Sequence, residues 1–97
     1  MSPRMSNVID NGRGRFEMPV EGGTAFVTYR NENGALALLR AEVPRAVEGR
    51  GEGSRLVKGV LDQVRVRGQK VIPYCPFISV YIRRHPEYGD LLADSKP

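Results

Sequence analysis

Glu48-Gly49-Arg50-Gly51-Glu52-Gly53-Ser54 runs directly into the apolar series Leu56, Val57, Val60, Leu61 and Val64, and this junction decides how the chain is built. The apolar residues recur at three- and four-residue spacing while Arg55, Lys58, Asp62 and Arg65 fall outside them, so residues 52–68 read as an amphipathic helix. Gly59 inside it costs up to about 1 kcal/mol against Ala, which predicts close packing on a neighbour. Gly68 is placed to end the helix in the left-handed conformation. Ahead of the helix, three glycines at alternate positions let the backbone approach a ligand closely. The helix N-terminus adds unpaired N–H donors and the positive end of its dipole, a ready site for a phosphate or pyrophosphate. A flexible loop whose glycines serve only for turning is the alternative reading. A Walker loop is excluded, because Ser54 stands five residues after Gly49 where Gly-Lys is required. A dinucleotide fingerprint fails too: Leu56 occupies the third glycine position counted from Gly51, and no parallel β-α-β unit begins before it.

Upstream, Arg15 to Val20 alternates with Phe16, Met18 and Val20 on one face and predicts a half-buried strand. Its Pro19 suits an edge. Glu21-Gly22-Gly23 turns the chain into a second strand, Thr24 to Arg30. Asn31-Glu32-Asn33-Gly34 is a hairpin signal, since Asn and Gly tolerate positive φ. Ala35 to Val43 follows as a central strand, and Pro44 stops it. Downstream of Gly68 the pattern predicts a short strand, Lys70 to Pro73, then a helix from Pro76 to Arg84, then one last turn within residues 87–92. The expected class is α+β, an antiparallel β meander followed by α-β-α. Residues before Asn7 and after Asp90 are expected to fray; residues 7–92 form the single domain, with tails at 1–6 and 93–97.

At 97 residues, 40% hydrophobic and 27% charged, the chain suits one core and excludes disorder. The longest uncharged apolar run, Ala35 to Leu39, is far short of the roughly 20 residues of a membrane span, and the start carries no apolar segment of a secretory signal. One cysteine, Cys75, allows no internal disulfide, and no Cys/His cluster has metal-ligand spacing. The expectation is a cytoplasmic, metal-free protein with no membrane partner, monomeric or a weak homodimer. Residues 45–70 hold seven basic side chains against three acidic ones and so carry the whole net charge of +4; an anionic partner is expected there. Gly23 to Tyr29 partly matches the RNP1 strand of an RNA-recognition motif. That strand should follow a strand, a helix and another strand, which the residues before Gly23 do not supply. Nucleic acid is therefore not an expected partner, and Phe26 is read as core.

Val43-Pro44, Gly49 to Leu56, Pro73-Tyr74-Cys75-Pro76-Phe77 and Tyr81-Ile82-Arg83-Arg84-His85-Pro86-Glu87-Tyr88 together resemble the short single-domain members of the GNAT (GCN5-related) N-acetyltransferase superfamily. The resemblance runs from Val8 to Leu91. It implies a minimal acyl-CoA N-acyltransferase fold, acetyl-CoA as cosubstrate and an amine acceptor of unknown identity. By position it assigns the pyrophosphate to the backbone amides of Arg50, Gly51, Glu52, Gly53, Ser54 and Arg55, with Val43 beside the cofactor arm. Glu48 departs from the superfamily pattern, which has Arg or Gln there; repulsion by its carboxylate predicts weaker binding, offset by Arg50 and Arg55. Pro73 lacks a ladder donor, so the strand it ends should part from the strand ending at Val43. The resemblance implies that the pantetheine arm enters that gap; a strand simply ending at a turn is the other reading.

Acetyl transfer needs a base for the ammonium and an acid for the departing thiolate. By the resemblance Tyr81 is the candidate acid, with core packing beside Phe77 and Ile78 as its plainer role. Glu42 is the candidate base, or else an exposed strand-end carboxylate; short members usually read His-Thr-Glu where this chain has Arg40-Ala41-Glu42. Cys75, between the short strand and the last helix, is the candidate nucleophile, because a helix N-terminus favours a thiolate; a buried small hydrophobe is the alternative. Convergence of Cys75 and Tyr81 at the thioester requires Cys75 to lie outside the helix. His85 is read as a cap on helix carbonyls. Full-length relatives carry two helices between the first strands and two more C-terminal strands, which build most of the acceptor site and have no counterpart here. A non-catalytic CoA-binding or interaction module stays open beside the enzyme, and an RNA-binding domain behind both.

Overall fold

The computed structural model describes residues 7–93. Its five strands are β1 (Ile9–Asp10), β2 (Arg15–Val20), β3 (Gly23–Glu32), β4 (Ala35–Glu42) and β5 (Val71–Pro73), and its helices are α1 (Glu52–Val66) and α2 (Pro76–Arg84). Short 3-10 turns occupy Arg45–Val47 and Pro86–Leu91. The strands form one sheet in chain order, antiparallel from β1 to β4, with β5 parallel to β4. Helix α1 is the crossover that parallel pairing demands. The β3–β4 hairpin closes on Asn33-Gly34, both at positive φ (54° and 87°), as a two-residue turn of that composition requires.

One face of the sheet presents Phe16, Met18, Ala25, Val27, Leu36 and Leu38 to the apolar stripe of α1 and to Ile78 and Ile82 of α2, in a single buried cluster. Gly59 is buried within α1, and Gly68 has the left-handed φ, 70°, expected of it. The radius of gyration is 12.9 Å. No helix among the described residues is long and apolar enough to cross a membrane.

Three details differ from the sequence reading. Ile9–Asp10 adds a short edge strand; Asp10 is held there by the Tyr29 hydroxyl at 2.6 Å and the Arg67 guanidinium at 2.9 Å. Residues 91–93 do not fray, because Leu91 is buried (3% exposed) and the Ala93 N–H donates to the Val71 carbonyl at 2.9 Å. The remaining tail residues, 1–6 and 94–97, lie outside the described residues. Phe26 is not core: its register partners are Glu17 and Glu42 on the sheet face away from the helices, and the Arg15 guanidinium covers its ring at 3.7 Å. No helix precedes the Gly23 strand among the described residues, so the order of elements is not that of an RNA-recognition motif.

Candidate functional site

A cleft of about 430 Å³ opens between the end of β4 and the start of α1, walled by Ala41 and Val43, by the glycine loop, and by Phe77 of α2. A β-bulge makes this wall. Thr28 pairs with Arg40 and Tyr29 with Leu38, leaving Leu39 as the extra residue. Beyond the bulge the alternation reverses, so Ala41 and Val43 turn to the helix side while Arg40 and Glu42 turn away. On the other flank β5 pairs only with Leu36–Leu38, the last time at Pro73. The Cys75 N–H reaches the Leu38 carbonyl at 3.1 Å; past that point β4 has no partner on this side. The two strands part where Pro73 predicts.

The floor of the cleft is backbone. Gly51 caps α1 in the left-handed conformation (φ 81°, ψ 8°) without a side-chain cap. The Arg50 N–H donates to the Val47 carbonyl at 3.2 Å and the Arg55 N–H to the Gly51 carbonyl at 3.1 Å. Those two amides are therefore engaged inside the protein. The N–H groups of Gly51, Glu52, Gly53 and Ser54 have no acceptor among the described residues, and they form the donor set at the positive end of the α1 dipole. Gly53 also makes room for an aromatic wall: a Cβ there would lie 3.1 Å from Phe77 Cζ and 3.7 Å from Val43 Cγ2.

Side-chain charge contributes less than the sequence suggests. Of the seven basic residues in 45–70, five are ion-paired: Arg50 with Glu21, Arg55 with Glu52, Lys58 with Asp62, Arg65 with Asp90 and Arg67 with Asp10. Three of those acids lie outside the segment, so folding neutralises much of its field. Arg50 and Arg55 are thus already occupied as counterweights to Glu48, whose carboxylate borders the cleft with no ion-pair partner among the described residues.

Cys75 and Tyr81 both belong to the one buried cluster, whereas Glu42 does not. Cys75 lies outside α2, as its N-cap, with Pro76 following. It is a free thiol, 7% exposed, and part of the buried cluster. Tyr81 is 8% exposed and borders a second hollow of about 90 Å³, which shares only Ser54 and Phe77 with the main cleft. Burial is the largest influence on its phenol and holds its pKa above the usual value, against an opposing pull from Lys58. Glu42 is on the far face of the sheet, ion-paired with Arg40. No hydrogen bond or ring contact joins Cys75 to Tyr81. His85 does cap α2: its Nδ1 lies 2.9 Å from the Tyr81 carbonyl, which can only accept, so Nδ1 carries the proton. Its ring stacks on Tyr81 at 4.0 Å.

Phe77 and Ala41 are site residues that the sequence reading did not single out. Phe77, named in the sequence reading only as a neighbour of Tyr81 in its plainer packing role, is 46% exposed. A signal existed, in that it lies one residue past the Pro76 helix start, where side chains point toward the helix entrance. Nothing in the sequence marks the bulge that exposes Ala41. No group of three or more His, Cys, Asp or Glu side chains able to hold a metal occurs among the described residues.

A statistical model of the GCN5-related N-acetyl-transferase family matches residues 15–91. Among solved structures, the chain is similar to the solution structure of a GCN5-like putative N-acetyltransferase from Staphylococcus aureus. The TM-score is 0.68 at 26% identity, covering 95% of this chain and 94% of that one. No curated protein matches.

Proposed function

The chain belongs to the GCN5-related N-acetyltransferase family, and from that premise we propose that it binds acetyl-CoA in the β4–α1 cleft and transfers the acetyl group to an amine. The observation that carries the reading is the row of four unpartnered amides, Gly51 to Ser54, opening beside a gap between two strands. In this reading the amides hold the pyrophosphate, and the pantetheine arm passes Ala41 and Val43 toward the gap beyond Pro73. The thioester then arrives near Cys75. An acetyl donor made inside the cell accords with a cytoplasmic location.

In direct transfer, the acceptor nitrogen attacks the thioester carbonyl, the C–S bond breaks, and the departing thiolate takes a proton from Tyr81. Burial favours the protonated phenol this role requires. Phe77 lines both hollows, so its ring must swing aside for Tyr81 to reach the sulfur. Glu42 takes the ammonium proton from an acceptor docked on the open face of the sheet, which is where the bulge turns it. Alternatively the Cys75 thiol attacks first: its sulfur takes the acetyl group and its proton passes to the departing CoA sulfur; the amine then attacks this second thioester, and its proton passes to the Cys75 sulfur as the C–S bond breaks. A CoA-binding module without turnover is the second reading. It is favoured by the placement of Glu42 on the face of the sheet away from Cys75 and Tyr81.

Calorimetry with millimolar acetyl-CoA and intact-protein mass spectrometry test the proposal. Binding heat is expected, and a single added acetyl mass absent in Cys75→Ala identifies the covalent route. Tyr81→Phe should lower transfer to an amine by about 10²–10⁴-fold with little change in affinity. Absence of heat would overturn the acetyl-CoA reading; binding without acetylation of any amine in a broad panel would leave the module.

A further inference from the structure

We propose that His85 is the positioning residue of Tyr81, fixing the plane of the phenol and, once protonated, setting a positive charge against its ring; the inference rests on the acid role proposed for Tyr81. The sequence builds this contact locally. Pro86 bars α2 from continuing and confines the residue before it, so His85 leaves the helix in a non-helical conformation. Its ring folds back and stacks on Tyr81, with centroids 4.0 Å apart and 15° between the planes. Three bonds hold it there. The His85 N–H donates to the Ile82 carbonyl at 3.1 Å, and the His85 carbonyl accepts from the Tyr88 N–H at 2.9 Å. Its Nδ1–H donates to the Tyr81 carbonyl at 2.9 Å. The Tyr88 ring tilts against the phenol at 6.2 Å, so Tyr81 is braced by groups that are themselves fixed.

The same geometry separates position from charge. Because Nδ1 already carries its proton toward the Tyr81 carbonyl, a second proton goes to Nε2, which has no hydrogen-bond partner among the described residues. Protonation therefore changes the charge of the ring without breaking the bond that places it. A cation within about 6 Å of an aromatic face is attracted to it, and to a phenolate more strongly than to a phenol. The charges already around the phenol leave room for this influence. From α1, Lys58 and Asp62 act on it in opposite senses and are paired with each other at 2.8 Å. From the turn after α2, Glu87 opposes its ionisation, while the Tyr88 hydroxyl is spent on Asp62. Arg84 borders the same hollow. Burial meanwhile makes the phenol a weaker acid than proton donation to a thiolate favours. In the transfer step the acceptor nitrogen bonds the carbonyl carbon and gives its proton to Glu42. The C–S bond breaks, the phenol proton passes to the sulfur, and the phenolate regains a proton from water. Protonated His85 stabilises that transient phenolate.

The test uses the full chain with acetyl-CoA and hydroxylamine, a small nucleophile that needs no docking surface. Released CoA is followed by chromatography from about pH 5 to 8, the range in which histidine side chains titrate. His85→Phe keeps a ring for stacking but neither the charge nor the Nδ1–H bond, and His85→Asn keeps a donor but no ring. Dividing the wild-type rate by the His85→Phe rate cancels the titration of the nucleophile. That ratio should rise about three- to tenfold as pH falls across the range. His85→Asn should lose about tenfold at every pH through misplacement of the phenol. Its acetyl-CoA affinity by calorimetry should be unchanged, which also reports that it is folded. In a Tyr81→Phe background neither His85 variant should lower the rate further. A flat ratio, or losses that persist in Tyr81→Phe, would overturn the positioning role and leave acetyl transfer standing. If the wild type binds acetyl-CoA but releases CoA no faster than the uncatalysed reaction, the transferase reading falls and this inference with it.

Discussion

A methyl group added at Gly51 would meet nothing within 4 Å, yet its φ of +81° is one that side chains rarely adopt. At Gly53 the reverse holds: the backbone is ordinary helix, but a Cβ would press on Phe77 at 3.1 Å. Gly51→Val should therefore destabilise the fold by about 1–2 kcal/mol and turn the donor amides away from a common point. Gly53→Val should leave stability nearly unchanged, because Phe77 is half exposed and can shift, while narrowing the cleft. Both should weaken acetyl-CoA binding, and chemical denaturation beside calorimetry separates the two causes. Glu48→Arg should tighten binding by removing an unpaired carboxylate from the rim. Wild-type affinity in both glycine variants would make the loop a mere turn.

Helix α1 is latched to the C-terminal turn on the flank away from the cleft. The Tyr88 hydroxyl donates to Asp62 at 2.6 Å, Lys58 pairs with Asp62 at 2.8 Å, and Arg65 reaches Asp90 at 2.8 Å. Burial, reinforced by the Asp62 hydrogen bond, pushes Tyr88 up to about 12. Burial would also raise Asp62, but hydrogen bonds from Lys58 and Tyr88 outweigh it and hold the carboxyl below its usual range. The folded state thus binds the Tyr88 proton more tightly than the unfolded chain does. This contribution is complete below about pH 10, the ordinary tyrosine value, and is lost as pH rises through about 12. Asp62 works in the opposite sense: its contribution is present above the ordinary carboxylate range and lost as pH falls through its lowered value. Urea unfolding at stepped pH should show an alkaline decline that is smaller in Tyr88→Phe. That variant should also lose about 1 kcal/mol at neutral pH. An identical alkaline decline in both proteins would remove Tyr88 from the latch.

For the molecule as a whole, a ligand that binds only the folded state raises its stability by mass action. At 100 times its dissociation constant acetyl-CoA should add about 2.7 kcal/mol, which for a domain of this size is a rise in Tm of roughly ten degrees. Differential scanning fluorimetry checks this without any knowledge of the acceptor. On the open face of the sheet Glu17, Phe26 and Glu42 lie in one cross-strand row, the surface on which the proposed transfer would place an acceptor. The short turn at Glu21–Gly22 supplies no helix to cover it.

Much of this architecture was legible in the sequence because it depends on neighbours along the chain. The α1 stripe, the Asn33-Gly34 hairpin, the Pro76 helix start and the left-handed Gly68 are local patterns, and each appears where it was read. The donor loop was legible for the same reason, since glycine spacing and a helix start are properties of adjacent residues. Tertiary structure decided the rest. One extra residue at Leu39 reverses the alternation of β4, sending Glu42 to the far face and bringing Ala41 to the cleft; no local signal marks it, because the bulge is defined by the register with β3. The basic segment loses its field to Glu21, Asp10 and Asp90, acids distant in sequence that only folding brings within ion-pair range. Cys75 and Tyr81 are six residues apart, but whether they meet depends on how α2 packs against α1 and β5. That packing buries both in one cluster and leaves Tyr81 bordering the hollow beside Ser54. Residue chemistry and local periodicity thus determine the elements and the donor amides, whereas side-chain convergence across elements is set by long-range register and packing.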